Sequence, residues 1–453
     1  MHGQDWVGRM ASLLSQKTLP MAWLESLYNK FLESTGVSTD TRKMQSGELF
    51  FALSGPNFNG NTFARAALEA GASYAVVDDP QVATNDRFVV VEDTLEALQA
   101  LARHHRRTFS IPFIGITGSN GKTTCKELTQ NVLRQKYRVH ATAGNLNNHI
   151  GVPLTLLSMP RDTQIAIIEM GANKVGDIAE LCAIAEPTHG FITNIGKAHL
   201  EGFGGIEGVK RGKSELYHWL IQHGGDVFIN DQDPILSNMA KRFQDDKVHF
   251  FPSPGSYLRL EFVSADPFVN FRNGEGKEYH SHLAGPHHFG NLAVAMAVGK
   301  FFAVPAEEAE QAAADYLPTN NRSQLVYRGE TTLMLDAYNA NPNSMAAALA
   351  NLKAMDAERK VVILGDMLEL GEEGPHEHRM LADLVQAVGP EKVILVGELM
   401  RHLAAVVPGA HSFASRVELK TWLKDNPFGK ATVLIKGSRS IGLEGILEVI
   451  PEA

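Results

Sequence analysis

The sequence predicts an α/β protein of three domains, and three observations lead to that prediction. The chain has 453 residues, enough for three domains of about 150 residues each. Apolar strand-like runs alternate with helical segments along most of its length, which is typical of parallel sheets covered by helices. Breaks near Ser110 and Leu317 interrupt that alternation, so we expect domains over 21–109, 110–316 and 317–453.

Composition and charge exclude several classes of protein. Hydrophobic residues make up 44% and charged residues 21%, which is close to an average globular protein and far from a disordered one. No apolar run approaches the about 20 residues that span a bilayer. The 42 Lys+Arg and 51 Asp+Glu give a net charge of -9, and no basic stripe is present, so a nucleic-acid partner is not expected.

The cysteines and the first residues bear on the compartment. Cys125 and Cys182 are the only cysteines, and the opening residues lack the basic start and apolar stretch of a secretory signal. Both features favour a reducing cytoplasm. We expect a cytoplasmic monomer that does not insert into a membrane.

The first predicted domain is a small α/β unit. Its first helix is MAWLESLYNKFLES, from Met21, and residues 1–20 are weakly patterned and expected to lie outside the fold. The runs LFFAL and YAVVD surround a helix, FARAALEAGA. The run RFVVVED then leads to a second helix, TLEALQALARHHRR.

The middle predicted domain begins with IPFIGIT, a buried-strand pattern followed by a helix from Lys122. The strands QIAIIEM, GFITNIG and DVFIND then alternate with helices around 177–185 and 206–221. We expect antiparallel strands over 247–282 and a closing helix, NLAVAMAVGKFFA. In the last domain TLMLD, KVVILGD, KVILVG and TVLIK each precede a helix, which predicts a Rossmann-like sheet.

A candidate phosphate-binding loop joins the first strand and helix of the middle domain. Glycines let backbone amides approach phosphate oxygens, the helix N-terminus adds partial positive charge, Lys122 reaches the outer phosphates, and Thr123 can hold Mg²⁺. A strict Walker loop has glycine where Ile116 stands, which disfavours a generic GTPase or motor. A plain glycine turn is the alternative, but a GKTT string at a strand-to-helix junction favours nucleotide binding. The predicted nucleotide residues are Gly118, Ser119, Asn120, Gly121, Lys122, Thr123 and Thr124.

Charged residues at predicted strand ends are further candidates, because ligands of such sheets bind beyond the carboxyl ends of the strands. Glu169 ends QIAIIE and suits either Mg²⁺ or a structural cap. His199 follows GFITN at the same predicted edge. Asp336, Asp366 and Lys436 end apolar runs of the last domain, which predicts a binding edge there, with helix capping by the aspartates as the alternative.

Lys213 stands on the apolar stripe of its predicted helix, in line with Val209, Leu216 and Leu220. Burial of an unpaired ammonium is costly. The lysine should therefore extend to solvent, find anionic partners, or carry a modification that removes its charge.

Taken together, these strings resemble the Mur ligase family over nearly the whole chain from about Met21. The markers are STDTRKMQSGELFFAL, TGSNGKTTCKEL, TAGNLNNHIGVPLTLL, EMGAN, TNIGKAHLEGFG, GPHHFGNLAVAMAV, DAYNANPNSM, GDMLELG and IKGSRS. The resemblance implies a central P-loop-type, mostly parallel sheet with helices on both faces. NLNNHIGVP, GDMLELG and KGSRS favour the members that use ATP and an acyl phosphate to join D-alanyl-D-alanine to UDP-N-acetylmuramoyl-tripeptide, in cytoplasmic peptidoglycan precursor synthesis.

The resemblance also implies the catalytic and metal residues. Lys122 and Thr123 match residues that hold the ATP phosphates and Mg²⁺. Glu169 and His199 match residues around the metal ions, with proton acceptance a second possible role for His199. Lys213 aligns with a lysine that such ligases carry as a CO₂-derived carbamate, an anion that helps to bind a second Mg²⁺.

The remaining implied contacts come from all three domains. Asn291 matches the adenine contact, and Arg322 and Asp336 match phosphate and ribose contacts. Many relatives carry Pro-Gly-Arg where this chain has NNRSQ, so Arg322 is retained with different neighbours. The implied substrate residues are Ser38, Asp40, Thr41 and Arg42 for the uridine diphosphate, Asn145, Asn147 and Asn148 for the muramoyl sugar and peptide, and Lys436, Ser438 and Arg439 near the dipeptide.

Two other functions stay open. The chain could be another amide ligase of this superfamily, either the one that adds the third residue or a folylpolyglutamate synthase, although the separate first domain and its DTRK string disfavour the folate enzyme. A protein that uses the phosphate loop as a nucleotide-dependent switch is the alternative from a different class.

Overall fold

A computed structural model describes residues 21–318 and 322–451. The predicted first helix is present over Met21–Glu33, whereas the expectation for residues 1–20 falls outside the described residues. Within the described ranges no helix is both long enough and apolar enough to span a bilayer.

Helices and strands alternate along the chain. The α-helices are α1 (Met21–Glu33), α2 (Ala64–Glu69), α3 (Thr94–Arg107), α4 (Lys122–Leu133), α5 (Gly151–Leu157), α6 (Asp177–Ala185), α7 (Leu200–Phe203), α8 (Ile206–Gln222), α9 (Pro234–Ala240), α10 (His288–Phe301), α11 (Ala306–Ala314), α12 (Pro342–Ala354), α13 (Gly374–Val388), α14 (Arg401–Ala404) and α15 (Arg416–Asp425). The strands are β1 (Val37–Ser38), β2 (Leu49–Phe51), β3 (Ser54–Gly55), β4 (Phe58–Asn59), β5 (Tyr74–Val77), β6 (Phe88–Val90), β7 (Phe113–Thr117), β8 (Val139–Ala141), β9 (Ile165–Glu169), β10 (His189–Ile192), β11 (Asp226–Asn230), β12 (Val248–Phe251), β13 (Leu260–Ala265), β14 (Phe268–Asn273), β15 (Glu278–Ala284), β16 (Gln324–Arg328), β17 (Thr331–Asp336), β18 (Lys360–Gly365), β19 (Lys392–Val396), β20 (His411–Phe413) and β21 (Ala431–Lys436).

The chain forms two compact units. Among the described residues, the first unit contains 21–115, 138–172 and 176–189, and the second contains 116–137, 173–175, 190–318 and 322–451. This division into two units does not test the predicted boundaries of the three domains, which stay a prediction.

The first unit contains a four-stranded parallel sheet of order β1-β2-β5-β6. Its core consists of apolar side chains of the strands and of α2. Helix α3 covers the predicted TLEALQALARHHRR string from end to end, and Asp93 caps it by accepting a hydrogen bond from the backbone of Glu96. Strands β8 and β9 pair in parallel.

A six-stranded sheet has the order β12-β11-β10-β7-β9-β8. In the second unit, β11 and β12 pair in parallel, and β13, β14 and β15 form a separate antiparallel sheet. The expectation of antiparallel strands over 247–282 is therefore wrong for β12. The Pro and Gly residues that suggested hairpins follow β12, at Pro252 and Gly255, rather than separating it from β11.

The last sheet of the second unit has the order β16-β17-β21-β18-β19-β20. Strand β16 is antiparallel to β17, and the other neighbouring pairs are parallel. Buried aliphatic side chains of β17, β18, β19 and β21 form its core with side chains of α15 and the final turns. This is the Rossmann-like arrangement that the sequence predicts.

The predicted final helix is present as a 3₁₀ helix over Leu443–Val449, after a short 3₁₀ turn over Arg439–Ile441. Gly442 lies between them with φ +66°, and a Cβ there would lie 2.4 Å from the Arg416 guanidinium. The left-handed glycine interrupts the α-helical pattern. The sequence analysis also missed β16 and β20 at the sheet edges and the helices α11 and α15.

Candidate functional site

The loop between β7 and α4 has a conformation that requires glycine at two positions. Gly118 has φ +144°, and a Cβ there would lie 1.9 Å from the hydroxyl of Thr193. Gly121 has φ +79° and directly precedes the helix, to which it offers no side-chain cap. An α-helix N-terminus without a side-chain cap behind a glycine turn is suited to bind phosphate oxygens.

The segment after β10 holds this loop in place. The backbone of Ser119 donates to the Asn194 carbonyl at 3.0 Å, and the backbone of Asn120 donates to Asn194 Oδ1 at 3.1 Å. The Ser119 hydroxyl accepts from the Gly196 N–H at 2.9 Å and donates to the Gly196 carbonyl at 3.0 Å. The sequence analysis did not single out Asn194, although its position just after a buried strand could have indicated a functional residue.

Lys122 and Thr123 lie where the phosphate-loop prediction puts them, in the first turn of α4. The Lys122 ammonium donates to the Gly118 carbonyl at 2.8 Å and reaches the Ser119 carbonyl at 3.4 Å. The side chain therefore bends back over its own loop. Thr123 and Thr124 are both buried.

Asn291 lies beside the same loop, on α10. Its Oδ1 would be 3.0 Å from a Cβ at Gly121 and accepts from Cys125 Sγ at 3.1 Å. Its Nδ2 is 3.0 Å from Nδ1 of His288, whose pKa burial holds well below the usual value. Contact with adenine stays a prediction for Asn291.

His199 pairs with a glutamate that the sequence analysis did not single out. Its Nδ1 is 2.5 Å from Oε2 of Glu369, in the GDMLELG string. His199 and Glu369 both have left-handed backbones, with φ of 51° and 63°, a strained conformation for residues other than glycine. The hydrogen bond from His199 lowers the pKa of the Glu369 carboxyl.

Lys213 lies inside α8 and is only 1% exposed, so it does not extend to solvent. Its Nζ is 5.2 Å from the ring centroid of Phe203. Two glycines of α8 make room for Phe203. A Cβ at Gly208 would lie 1.8 Å from the Phe203 carbonyl, and a Cβ at Gly212 would lie 2.4 Å from the Phe203 ring. The helix is continuous through both glycines.

Glu169 is the buried last residue of β9 in the first unit. Its Oε1 accepts a hydrogen bond from Asn147 Nδ2 at 2.8 Å. The Asn147 carbonyl in turn accepts from the Gly171 backbone at 2.7 Å, and a Cβ at Gly171 would lie 2.8 Å from Asn147 Oδ1. Asn147 therefore orients the Glu169 carboxylate.

The other two asparagines of that string lie differently. Asn148 Oδ1 accepts from the backbone N–H groups of Ile150 and Gly151 at 3.1 and 2.8 Å, at the start of α5. This side chain acts as a helix cap. Asn145 is exposed.

The predicted metal residues belong to both units. Thr123, His199 and Lys213 are in the second unit and Glu169 is in the first. In the part of the chain that the structure describes, no three His, Cys, Asp or Glu side chains form a cluster that could hold a metal ion. Thr123 and Lys213 are not among these four residue types, so the absence of such a cluster does not test the predicted metal site, which stays a prediction.

The last sheet brings Asp336 and Lys436 together. The two residues are opposite each other on β17 and β21, and the buried Lys436 ammonium donates to Asp336 Oδ2 at 2.6 Å and to the Asn339 carbonyl at 3.0 Å. Asp366 instead accepts from the Met400 backbone at 2.9 Å, before α14. Helix α14 has no side-chain cap, so helix capping, the alternative interpretation, is not shown for Asp366.

Two predicted arginines lie against one aromatic ring. The Arg322 guanidinium is 3.7 Å from the ring centroid of Tyr338, and that of Arg439 is 5.4 Å from it. Tyr338 was missed, although its place in the DAYNANP string directly after β17 was a signal. Ser438, beside Arg439, is buried and its hydroxyl accepts from the Leu368 backbone at 3.0 Å.

The predicted uridine diphosphate element is a tight turn after β1. The Ser38 hydroxyl and the Asp40 carboxylate hold its backbone, and the Asp40 carboxylate also accepts two hydrogen bonds from the Arg42 guanidinium, each 2.8 Å long. These hydrogen bonds from Arg42 lower the pKa of Asp40 to about 2. The Arg42 side chain is 85% exposed, and Thr41 lies between the two charged residues.

Family models match three successive segments of the chain. They are described as "Mur ligase family, catalytic domain" over residues 33–106, "Mur ligase middle domain" over 116–299 and "Mur ligase, glutamate ligase domain" over 321–439.

Relatives match at nearly full length. The UDP-N-acetylmuramoyl-tripeptide--D-alanyl-D-alanine ligase of Bacillus subtilis is 34% identical over 92% of this chain and 93% of its own. The enzyme of the same name from Escherichia coli is 32% identical over 92% and 93%.

Solved structures have the same fold. A crystal structure of MurF from Acinetobacter baumannii has a TM-score of 0.84 at 27% identity, over 94% of this chain and 98% of its own. MurF ligase from Thermotoga maritima in complex with ADP has a TM-score of 0.80 at 26% identity, over 93% and 97%. The predicted three-domain α/β fold class is thereby confirmed. With full-length relatives above 30% identity and all three family models matched in order, the chain belongs to the Mur ligase family.

Proposed function

We propose that this chain is an ATP-dependent ligase that joins D-alanyl-D-alanine to UDP-N-acetylmuramoyl-tripeptide. The observation that carries the proposal is the loop of Gly118, Gly121 and Lys122 at the N-terminus of α4, whose backbone admits no side chain at Gly118. The printed names of full-length relatives support the choice of substrates. A likeness to a folylpolyglutamate synthase structure at 16% identity concerns the fold alone.

Formation of an amide from a carboxylate is uphill in water, so the carboxylate must first be activated. The tripeptide carboxylate attacks the γ-phosphoryl group of ATP, which gives an acyl phosphate and releases ADP. The amine of the dipeptide then attacks the acyl carbon and inorganic phosphate leaves, while bound Mg²⁺ would neutralise charge on the phosphates. The loop fits this role, because the helix N-terminus faces the turn and the Lys122 ammonium rests on two loop carbonyls at 2.8 and 3.4 Å. Lys122 needs only a side-chain rotation to meet phosphate oxygens.

We assign Glu169, His199 and Thr123 to the support of Mg²⁺. A buried carboxylate such as Glu169 suits a divalent cation, and Asn147 fixes its orientation. Because Nδ1 of His199 contacts Glu369, Nε2 is the ring nitrogen that would hold Mg²⁺.

Lys213 fits the carbamate assignment. The side chain is only 1% exposed, and a carbamate would replace a buried cation, which is costly to desolvate, by an anion. The amine nitrogen bonds to the carbon of CO₂ and loses a proton, which gives an anion that can hold a second Mg²⁺. We propose that Lys213 carries this group in the active enzyme.

Other residues are assigned to contacts with the dipeptide, with ATP and with the UDP-linked tripeptide. Arg439 is assigned to the dipeptide carboxylate: its side chain is 61% exposed, although it pairs with Glu444 at 3.3 Å, and a guanidinium binds carboxylates in a bidentate manner. Lys436 neutralises and positions Asp336 for the ribose. Asn291 is assigned to adenine and Arg322 to phosphate. The remaining substrate residues are Ser38, Asp40, Thr41 and Arg42 for the uridine diphosphate, Asn145, Asn147 and Asn148 for the sugar and peptide, and Ser438 for the dipeptide.

We further propose that the protein acts as a cytoplasmic monomer and that its domains cover 21–109, 110–316 and 317–453. Size-exclusion chromatography with light scattering tests the monomer, since a mass near 49.5 kDa is expected. Limited proteolysis tests the boundaries, which predict cuts near 109 and 316.

The function is tested by ADP release with UDP-N-acetylmuramoyl-tripeptide and a panel of amines. Release that needs both the tripeptide and D-alanyl-D-alanine is the expected result. Release with the corresponding dipeptide precursor and a single amino acid would identify the ligase for the third residue instead. ATP hydrolysis that no acceptor alters would favour the nucleotide-dependent switch.

A further inference from the structure

The TNIGKAH segment, residues 193–199, contacts the phosphate loop on one side. Its first residues hold the backbone of Ser119 and Asn120 through four hydrogen bonds: Ser119 N to Asn194 O, Asn120 N to Asn194 Oδ1, Thr193 Oγ1 to the Asn120 carbonyl at 2.6 Å, and Asn194 Nδ2 to the same carbonyl at 3.0 Å. Any displacement of this segment therefore moves the loop.

The same segment contacts the Rossmann-like part of the second unit on its other side. The Lys197 backbone donates to Asn343 Oδ1 at 2.7 Å, and the Lys197 ammonium donates to Glu377 Oε1 at 2.5 Å. A Cβ at Gly196 would lie 3.0 Å from Asn343 Oδ1. A side chain at position 196 would therefore make a tight contact with Asn343.

The Lys197–Glu377 ion pair is unequal in burial. The Glu377 side chain is 7% exposed, whereas that of Lys197 is 50% exposed. A buried carboxylate needs a compensating cation, so loss of Lys197 is expected to move the first turn of α13 rather than leave it in place. The helix N-terminus itself also favours a negative charge at Glu377, and this purely structural role is the alternative that a test must separate.

A second contact joins the same two parts of the protein. Asn341 caps α12 through its Oδ1, which accepts from the Ser344 backbone at 2.9 Å, while its Nδ2 donates to Asn120 Oδ1 of the phosphate loop at 2.7 Å. The start of α12 thus contacts the loop directly through Asn341 and the TNIGKAH segment through Asn343.

We propose that Lys197 and Glu377 are positioning residues, and that their ion pair couples the placement of the Rossmann-like part to the shape of the phosphate loop. Nucleotide affinity then depends on a salt bridge whose two residues lie outside the loop itself. The inference rests on the proposed use of ATP, but it concerns how the loop is held rather than which substrates are joined.

The test is a double-mutant cycle on ADP binding, measured by isothermal titration calorimetry with ADP and Mg²⁺ on the full chain. We expect Lys197→Met and Glu377→Gln each to weaken ADP binding by about fivefold to tenfold, and the double variant to bind no more weakly than the worse single one, because residues of one ion pair are not additive. Lys197→Arg keeps the charge and should restore most of the affinity.

Glu373→Gln is the matched control. Glu373 is an exposed glutamate just before the first turn of α13, so its loss tests the effect of charge at the helix N-terminus alone. The inference is overturned if Glu373→Gln weakens ADP binding as much as Glu377→Gln, if the two single effects add, or if the melting temperature falls while the dissociation constant is unchanged. Should Glu377→Gln not fold, Lys197→Met with its Lys197→Arg rescue decides the question alone. Absence of ADP binding to the unaltered protein would instead contradict the proposed function.

Discussion

Asn147 donates a hydrogen bond from Nδ2 to the carboxylate of Glu169 at 2.8 Å. The asparagine comes from a loop and the glutamate from the end of a buried strand, 22 residues apart. Gly171 leaves the space that the asparagine occupies, since a Cβ there would lie 2.8 Å from Asn147 Oδ1. The resemblance alone assigned Asn147 to the substrate, whereas its contacts support an additional role in orienting Glu169.

Asn147→Ala should therefore weaken activation by Mg²⁺, because residues that orient a metal-binding side chain typically contribute tenfold to a hundredfold in affinity or activity. The measurement is the Mg²⁺ dependence of ADP release. His149→Ala, at an exposed position of the same string to which no role is assigned, is the control and should leave the Mg²⁺ dependence unchanged. An equal effect of both variants would mean that the loop, rather than the contact with Glu169, is responsible.

Lys213→Ala should nearly abolish ligation, and a small carboxylate such as acetate should restore part of the activity by supplying the missing anion. Bicarbonate alone should not rescue the variant, since no amine remains to carry the carbamate. Lys210→Ala is the control, because Lys210 lies on the same helix but pairs with Glu207 at the surface. Full activity of Lys213→Ala would contradict the carbamate assignment.

Gly118→Ala should lose nucleotide binding, since the added methyl group would lie 1.9 Å from the Thr193 hydroxyl and the backbone φ of +144° disfavours alanine. We expect ADP affinity to fall at least about tenfold, as for other disruptions worth about 1.4 kcal/mol or more. Gly55→Ala, with open space around the added carbon, controls for the substitution itself. Calorimetry with ADP and thermal unfolding separate loss of binding from loss of fold.

Acidification should destabilise the protein partly through His105. This ring is packed between Phe31 and Phe109, with Nδ1 3.2 Å from the Tyr28 hydroxyl. Burial, followed by the nearby charges of Arg161 and His104, lowers its pKa from 6.5 to about 4. The unfolded chain thus binds the proton more tightly, and the stability that the neutral ring contributes is lost as the pH falls from 6.5 towards 4.

Urea unfolding at pH 7.5, 6, 5 and 4 measures this effect as a falling free energy of unfolding. In His105→Phe the fall over that window should be smaller, because one buried titrating group is gone. His411→Phe, at an exposed position, should keep the full pH dependence. A His105→Phe variant with the same dependence as the unaltered protein would show that other histidines account for it.

The sequence was enough to predict those helices and strands whose structure is determined by their own residues. Helix α3 has an Asp93 cap and a clear apolar stripe, and α4 begins directly behind the glycine at 121. Edge strands were harder to predict: β20 is largely exposed, so it shows no apolar alternation. The 3₁₀ turns after Ser438 depend on Gly442 and its contact with Arg416, which lies 26 residues away in sequence.

The same distinction applies to the candidate site. The phosphate loop is contiguous in sequence, and its residues were predicted together. The pairs His199–Glu369 and Lys197–Glu377 join residues that lie 170 and 180 positions apart, and no local pattern relates such residues. The side chains of Asn148 and Asp366 accept hydrogen bonds from backbone N–H groups, and residue type and position alone do not distinguish this role from contact with a ligand.

The two-way hydrogen bonding between the Ser119 hydroxyl and the Gly196 backbone has one further consequence. These hydrogen bonds fix the shape of the turn, so little conformational entropy is lost when an anion binds. A competitive inhibitor that mimics phosphate would thus meet a rigid receptor, and its affinity should follow geometric fit far more than flexibility.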